Sequence, residues 1–189
     1  MDPFDEFRDS MNNKISEVET RLLELEVLRN ARILEMKNLI ESENFQINSN
    51  DKHGDTCLHC TSRSGNIEIV KLLLEKNADV EVKNKRGDTP LHCASRNGLV
   101  EITELLLDNN ANIETKNERG NTPLHEAVKR RWSVSVITLL LSHGANMEVK
   151  NNKGKTFLDF VRTSNYDFEK EIEENRTRNN YINIKPAKK

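Results

Sequence analysis

The chain has 189 residues, a formal net charge of −2 and 35% hydrophobic residues, a size that suits one compact domain or one solenoid with appendages. No apolar run approaches the ~20 residues that a membrane-spanning helix needs, and the acidic start MDPFDEF is unlike a signal peptide. Three cysteines without a leader favour a reducing compartment over a disulfide framework. These features predict a cytoplasmic protein that does not enter a membrane.

The first segment of the chain is acidic and predicts a long helix. Residues 1–45 carry 11 acidic and 6 basic side chains, whereas residues 46–155 carry 14 acidic and 16 basic ones. Residues 10–40 lack glycine and proline, and their apolar residues recur at steps of three and four, which is typical of an amphipathic helix. The apolar series comprises Ile15, Val18, Leu22, Leu25 and Leu28.

We expect this acidic helical arm to occupy residues 1–32 and to be about 25–30 residues long, or ~40 Å at 1.5 Å per residue. It can pack on the domain that follows or on a helix of another chain, and both arrangements remain open. A true coiled coil is less favoured, because Arg29 and Arg32 interrupt its apolar seam.

A hexapeptide then returns at nearly constant intervals. GDTCLH at Gly54–His59 becomes GDTPLH at Gly87–His92, GNTPLH at Gly120–His125 and a divergent GKTFLD at Gly154–Asp159, with spacings of 33, 33 and 34 residues. A period of this length indicates supersecondary modules that each bury their apolar face only against their neighbours. Stacked modules present an extended surface rather than an enclosed pocket.

Each repeat predicts two short helices followed by a finger. In the second copy, Thr89 can cap a helix whose first residue is Pro90, and Gly98 follows that helix as a breaker. Residues 100–108 carry apolar side chains at helical spacing and predict the second helix. Residues 113–119 should form an extended finger that leads to the next glycine.

The motif TPLH, followed by Cys93-Ala94, Glu101-Ile102, three leucines and an Ala-Asn or Ala-Asp turn, resembles ankyrin repeats from residue 34 to about residue 175. The resemblance implies an all-α ankyrin-repeat solenoid of stacked antiparallel helix pairs with β-hairpin-like fingers, preceded by the long N-terminal helix. Residues 33–175 then hold three full repeats between two capping units, and residues 176–189 form a basic polar tail.

Departures from the repeat pattern fall at a few positions. Asn77 and Asn110 end the second helices where glycine is usual, and asparagine tolerates the left-handed conformation required there. The third repeat has one additional residue and no glycine between its helices. In the first capping unit, the repeat register calls for a turn near residues 30–32 and a separate helix over residues 34–43.

Candidate catalytic and metal-binding motifs are incomplete. Cys57–Cys60 resembles half of a zinc site but lacks a second pair at suitable spacing, and Gly154–Thr156 lacks the earlier glycine of a phosphate-binding loop. His59, His92 and His125 occupy one structural slot, from which an imidazole can bond the backbone of a neighbouring unit. We therefore expect no enzymatic activity, no cofactor, no metal and no small-molecule substrate.

Basic residues recur at the fingertips and at the ends of the first helix of each pair, whereas the second helices are acidic. Such segregation predicts a basic stripe suited to an acidic partner. Trp132 joins this set because tryptophan is favoured at interfaces. The predicted partner-binding residues are Lys52, His53, Arg63, Lys83, Lys85, Arg86, Arg96, Lys116, Arg119, Lys129, Arg130, Trp132, Lys150, Lys153 and Lys155.

The resemblance implies a protein-binding scaffold that uses its fingers and concave face, and the basic stripe points to an acidic partner. Together they predict a non-catalytic adaptor or scaffold that binds an acidic protein partner through these surfaces. One form of this function is a subunit of a larger cytoskeletal or axonemal assembly. The alternative is a soluble inhibitor or assembly chaperone that masks the surface of its partner. Nucleic-acid binding is disfavoured, because net charge is near zero and the basic residues lack interleaved aromatic ones.

Overall fold

A computed structural model describes residues 3–128 and 134–162, and it describes side chains from residue 17 onward together with that of Lys14. The chain divides into two compact units between Phe45 and Gln46. In the described residues the first unit contains one helix, α1, Pro3–Glu41. The second contains α2 Cys57–Ser64, α3 Ile67–Glu75, α4 Pro90–Asn97, α5 Val100–Asp108, α6 Pro123–Ala127, α7 Val134–Ser142 and α8 Phe157–Arg162.

The long N-terminal helix predicted from the sequence is confirmed, but α1 extends further than expected. It continues without interruption through residues 30–36, so the expected turn near residue 31 and a separate helix from residue 34 do not form. The physical reason is local, since residues 10–40 contain no glycine or proline to end the helix. The predicted domain boundary after residue 32 therefore falls inside a continuous helix.

The second unit consists of helix pairs stacked in sequence order. Helix α2 packs on α3, α4 on α5 and α6 on α7, while α2, α4, α6 and α8 contact one another in succession, and so do α3, α5 and α7. Apolar side chains at equivalent repeat positions fill the space between these layers. Those with almost no solvent exposure include Leu58, Ile69, Leu73, Leu91, Ile102, Leu106, Leu124, Ile137, Leu140 and Phe157.

Caps define where these short helices begin and end. Thr89 is the N-cap of α4, and its hydroxyl and backbone nitrogen both meet the ring of His92 in a capping box. The same arrangement opens α2 and α6. As predicted, Asn77 and Asn110 adopt the left-handed conformation after the second helices, with φ of 57° and 64°.

The fingers between helix pairs are tight turns rather than strands. In one finger the backbone nitrogen of Asn84 donates to the carbonyl of Asp88 at 3.0 Å, and that of Gly87 donates to the carbonyl of Asn84 at 2.8 Å. Within the described residues, the β-type pairing is limited to one isolated bridge between Asn50 and Thr56. The all-α assignment with hairpin-like fingers is therefore confirmed.

Candidate protein-binding face

Backbone hydrogen bonds join each fingertip to the next. The nitrogen of Lys85 donates to the carbonyl of His53 at 3.0 Å, and that of Glu118 donates to the carbonyl of Arg86 at 3.0 Å. The series continues from the nitrogen of Asn152 to the carbonyl of Arg119 at 3.1 Å. Equivalent side chains of successive fingers are thereby held in columns, one of which consists of His53, Arg86, Arg119 and Lys153.

An asparagine organises each finger after the first and ties it to the preceding unit. The side-chain oxygen of Asn84 accepts from the backbone nitrogens of Arg86 at 2.9 Å and Asp88 at 3.0 Å, which closes the turn. Its amide nitrogen donates to Asp55 of the previous unit at 2.6 Å. Asn117 and Asn151 repeat both roles in the next two fingers.

The motif histidines form a second series of contacts between units. The Nδ1 atom of His92 accepts from the backbone nitrogen of Thr89 at 3.2 Å, and its Nε2 atom lies 3.0 Å from the carbonyl oxygen of Asn121. Because a carbonyl can only accept, Nε2 carries the proton and the ring is neutral. His59 and His125 make equivalent contacts with the units that follow them. The geometry therefore supports the predicted structural role of these histidines.

Arg63 and Arg96, the inner-helix arginines of the predicted stripe that the structure describes, point into an internal network. Arg96 contacts the carboxylates of Asp88 at 2.8 Å and Glu126 at 2.7 Å, and only 18% of its side chain is exposed. Arg63 contacts Asp55 at 2.7 Å. These guanidinium groups neutralise buried carboxylates, a structural role that the sequence did not reveal.

The residues around Asp55 alter the pKa of its carboxyl group. Burial opposes the charged form of this carboxylate, but hydrogen bonds from Asn84 and Arg63 outweigh it and lower the pKa below its ordinary value of 3.8. Asp55 is therefore an ionised structural group at neutral pH. Its charge is cancelled locally by Arg63 and does not oppose the basic fingers.

Three acidic residues that interrupt the basic stripe in the sequence also have internal partners. The carboxylate of Glu81 accepts a hydrogen bond from the backbone nitrogen of Asn112 at 2.7 Å, and that of Glu114 accepts one from the backbone nitrogen of Asn146 at 2.7 Å. In both cases the donor belongs to the following repeat. The third, Asp88, is the partner of Arg96. Among the acidic residues interleaved in the predicted stripe, Glu118 stays exposed at a fingertip.

Some of the predicted lysines are also engaged within the stack. The ammonium group of Lys83 donates to the carbonyl of Lys116 at 3.0 Å, and that of Lys116 donates to the carbonyl of Lys150 at 2.9 Å. The ammonium group of Lys155 lies 5.8 Å from the ring centroid of Phe160, a cation–π distance. All three lysines are nonetheless exposed and keep their charge at the surface.

The remaining predicted residues of the described fingers are exposed and make few or no contacts. Arg86, the most engaged of them, has a 3.6 Å contact with Asp88 but keeps 62% of its side chain exposed. They comprise His53 and six lysines and arginines, which we call the finger cations: Lys52, Lys85, Arg86, Arg119, Lys150 and Lys153.

A cleft of about 490 Å³ lies beside the finger cations, between the second and third fingers and the helices behind them. Its lining includes Lys85, Arg86 and Arg119 together with Arg63 and Arg96. Three carboxylates also line it, namely Asp88, Glu118 and Glu126, and Arg96 contacts the first and the last of them. Five cations against three carboxylates leave the lining with a net positive charge, which can attract an acidic side chain.

Three predicted residues, Lys129, Arg130 and Trp132, lie outside the described residues. Conversely, Glu126 belongs to the network of the cleft and was not among the predicted residues. The sequence does mark this residue, because Glu126 occupies the repeat position that holds Cys60 and Cys93 in the two preceding repeats.

Neither a metal centre nor a reactive thiol emerges from the described residues. Across residues 3–128 and 134–162, no three His, Cys, Asp or Glu side chains are grouped so that they could hold a metal ion. Burial raises the pKa of the Cys93 thiol to about 11, so this group stays protonated at neutral pH. In the same residues, no helix combines the length and apolar character needed to cross a bilayer.

Comparisons with known families agree with the geometry. A family model described as ankyrin repeats, in three copies, matches residues 30–117, and one described as a single ankyrin repeat matches residues 119–152. No curated protein matches the chain. The two matches cover nearly all of residues 30–152; they include the last residues of α1 and, from residue 46 onward, coincide with the helix pairs, caps and fingers described above. The chain belongs to the ankyrin-repeat family, whose repeats are protein–protein interaction modules.

Proposed function

We propose that this protein is a non-catalytic adaptor whose finger cations bind an acidic segment of a protein partner. One observation carries the proposal: the exposed cations recur from finger to finger, while most of the neighbouring carboxylates are held by internal partners. A surface of this kind attracts acidic partners over several ångströms and orients them as they approach. The cleft between the second and third fingers supplies a concave place for one acidic side chain.

Charge reversal tests this proposal. The variant Arg86→Glu/Arg119→Glu changes two adjacent members of the finger column, whereas Lys71→Glu/Lys76→Glu makes the same change in net charge at two exposed lysines in and just after α3. Each variant and the wild-type chain serve as bait in affinity purification with quantitative mass spectrometry. We expect partners with acidic segments to be lost from the finger variant and retained by the α3 variant.

Two further measurements make the result decisive. Circular dichroism and thermal unfolding should show that both variants keep the fold, because all four substituted side chains are exposed. The affinity of the captured partner should fall as salt is raised, since exposed charges are screened over about 8 Å at physiological ionic strength. Equal capture by the two variants, or an affinity indifferent to salt, would contradict the proposal.

The proposal includes a place for this adaptor in a larger cytoplasmic assembly, for example a cytoskeletal or axonemal one. The alternative is a soluble inhibitor or assembly chaperone that uses the same face. Sedimentation of cell extracts distinguishes them, because an assembly subunit pellets with the particulate fraction whereas an inhibitor remains in a small soluble complex. Acidic partners suit both functions, so the fraction that contains the protein decides between them.

A further inference from the structure

Helix α1 exposes an apolar seam that the proposed function does not use. Val18, Leu22 and Leu25 keep 57%, 56% and 62% of their surface exposed, although each is a large hydrophobic residue. With Ile15 they follow the spacing of alternating a and d positions in a heptad repeat, with Ile15 and Leu22 at a. Such a seam is normally covered by a second helix.

The residues that flank this seam identify the helix that can cover it. Lys14 and Arg21 occupy the two g positions, and Glu19 and Glu26 occupy the two e positions that come five residues later. All four side chains are exposed. One edge of the seam is therefore basic and the other is acidic, within a single helix.

This arrangement discriminates between the two ways in which identical helices can pair. In a parallel pair, each g residue faces the e residue five positions later in the other helix, so Lys14 meets Glu19 and Arg21 meets Glu26, from both sides. In an antiparallel pair, g faces g and e faces e, which brings like charges together. Opposite charges at these positions favour the parallel form, and like charges disfavour the other.

The seam is short because charge ends it. Arg29 and Arg32 occupy the next a and d positions, where a parallel partner would place an identical arginine opposite each of them. The paired region therefore spans residues 14–28. Association through so few turns is expected to be reversible and dependent on concentration, because the buried apolar surface is small.

We infer that α1 is a self-association element: two copies of this chain pair in parallel and in register through residues 14–28. The apolar seam supplies the buried surface, and the Lys14–Glu19 and Arg21–Glu26 contacts set the orientation. The pair would carry two copies of the finger surface on one stem. An extended partner with two acidic segments would then bind with an avidity that neither copy has alone.

Sedimentation equilibrium of the full chain over two decades of concentration tests the inference, with variants that change one flank at a time. Lys14→Glu/Arg21→Glu makes both edges acidic, and Glu19→Lys/Glu26→Lys makes both edges basic. We expect the wild type to dimerise, each variant alone to be monomeric at the same concentrations, and an equimolar mixture of the two variants to form a heterodimer.

A matched control separates the flanks from net charge. Glu17→Lys/Glu24→Lys makes the same charge change as the basic-edge variant, but at c positions away from the seam, and it should dimerise like the wild type. A wild-type chain that stays monomeric throughout would overturn the inference. So would dimerisation that both flank variants retain, because the pairing would then not use these edges.

Orientation is tested by disulfide formation. In a Cys57→Ser/Cys60→Ser background, Leu25→Cys places a thiol at a d position, where a parallel, in-register pair brings the two copies together. Val27→Cys, on the opposite side of the helix, is the control and should not crosslink. We expect oxidation to trap a covalent dimer of the first variant only. Dimerisation without this crosslink would overturn the parallel arrangement.

Discussion

Arg96 illustrates how a single residue can be charged, close to the surface and yet structural. Its guanidinium group contacts Asp88 of its own repeat and Glu126 of the next, and both carboxylates have only 1% of their side chains exposed. Asn117 donates to Asp88 at 2.7 Å and to Glu126 at 3.2 Å, which satisfies further lone pairs. Together these ion pairs and hydrogen bonds hold two repeats together where the finger meets the inner helix.

Arg96→Ala should therefore destabilise the fold. Removing one partner leaves buried carboxylates without a counter-charge, and such changes cost about 3 kcal/mol or more. Urea unfolding followed by circular dichroism measures the loss. Arg119→Ala is the control, because its exposed side chain should matter by less than about 0.5 kcal/mol. Similar midpoints for the two variants would mean that Arg96 is not a structural residue.

At the scale of the element, each finger depends on the glycine that follows its tip. Gly87 has φ of +70°, and a Cβ atom there would lie 2.6 Å from the backbone nitrogen of Glu118 in the next finger. Gly154 has nearly the same conformation, φ of +69°, but a Cβ atom there meets nothing within 4 Å in the described part of the chain. A side chain at either position would strain the backbone, but only at Gly87 would it also crowd a neighbouring finger.

Substituting alanine at these two positions should give unequal losses of stability. Gly154→Ala carries the strain of a left-handed L residue alone, about 1–2 kcal/mol. Gly87→Ala adds an overlap with the neighbouring backbone, which cannot rotate away, and overpacking of this kind costs about 1–3 kcal/mol more. Thermal unfolding of both variants measures the difference. Equal losses would show that the fingers are not packed as closely as described.

At the scale of the molecule, successive repeats are joined by hydrogen bonds of a few recurring kinds. Histidine-to-carbonyl, asparagine-to-carboxylate and backbone-to-backbone hydrogen bonds each connect a unit to its successor. Burial lowers the pKa of His59 and of His92 below the ordinary value of 6.5. Protonation would also place a new N–H group at Nδ1 against a backbone N–H donor.

The stack should consequently lose stability in mild acid. Because the folded-state pKa values lie below those of the unfolded chain, the unfolded state binds more protons once the pH falls below about 6.5. The free energy of unfolding should be constant above that pH and should decrease as the pH falls from 6.5 towards the folded-state values. His92→Gln keeps an acceptor for the capping box but does not titrate. Its unfolding free energy should vary less between pH 7 and 5, and an unchanged slope would contradict this prediction.

Much of this architecture could be predicted from the sequence because the repeat encodes it locally. Helix α4 begins at Pro90 as expected and ends one residue beyond the expected Arg96, and α5 has the expected bounds, since Thr89, Pro90 and Gly98 act on adjacent backbone. The partners of the charged residues could not be predicted in the same way. Arg96 and Asp88 are eight residues apart and meet only because the finger folds back beside the helix, and Glu126 comes from another repeat.

In a repeat stack, each unit offers the next one the same hydrogen-bonding groups, so a change of residue in one of these slots alters how a following unit can be joined. The slot that holds His59, His92 and His125 contains Asp159 in the last hexapeptide. Its carboxylate accepts from the backbone nitrogen of Thr156 at 2.8 Å and from its hydroxyl at 3.0 Å, which reproduces the local half of the histidine role. An ionised carboxylate has no proton to donate to the carbonyl of a further unit. The aspartate thus starts α8 normally but offers no donor for the carbonyl bond by which each earlier motif histidine joins its unit to the next.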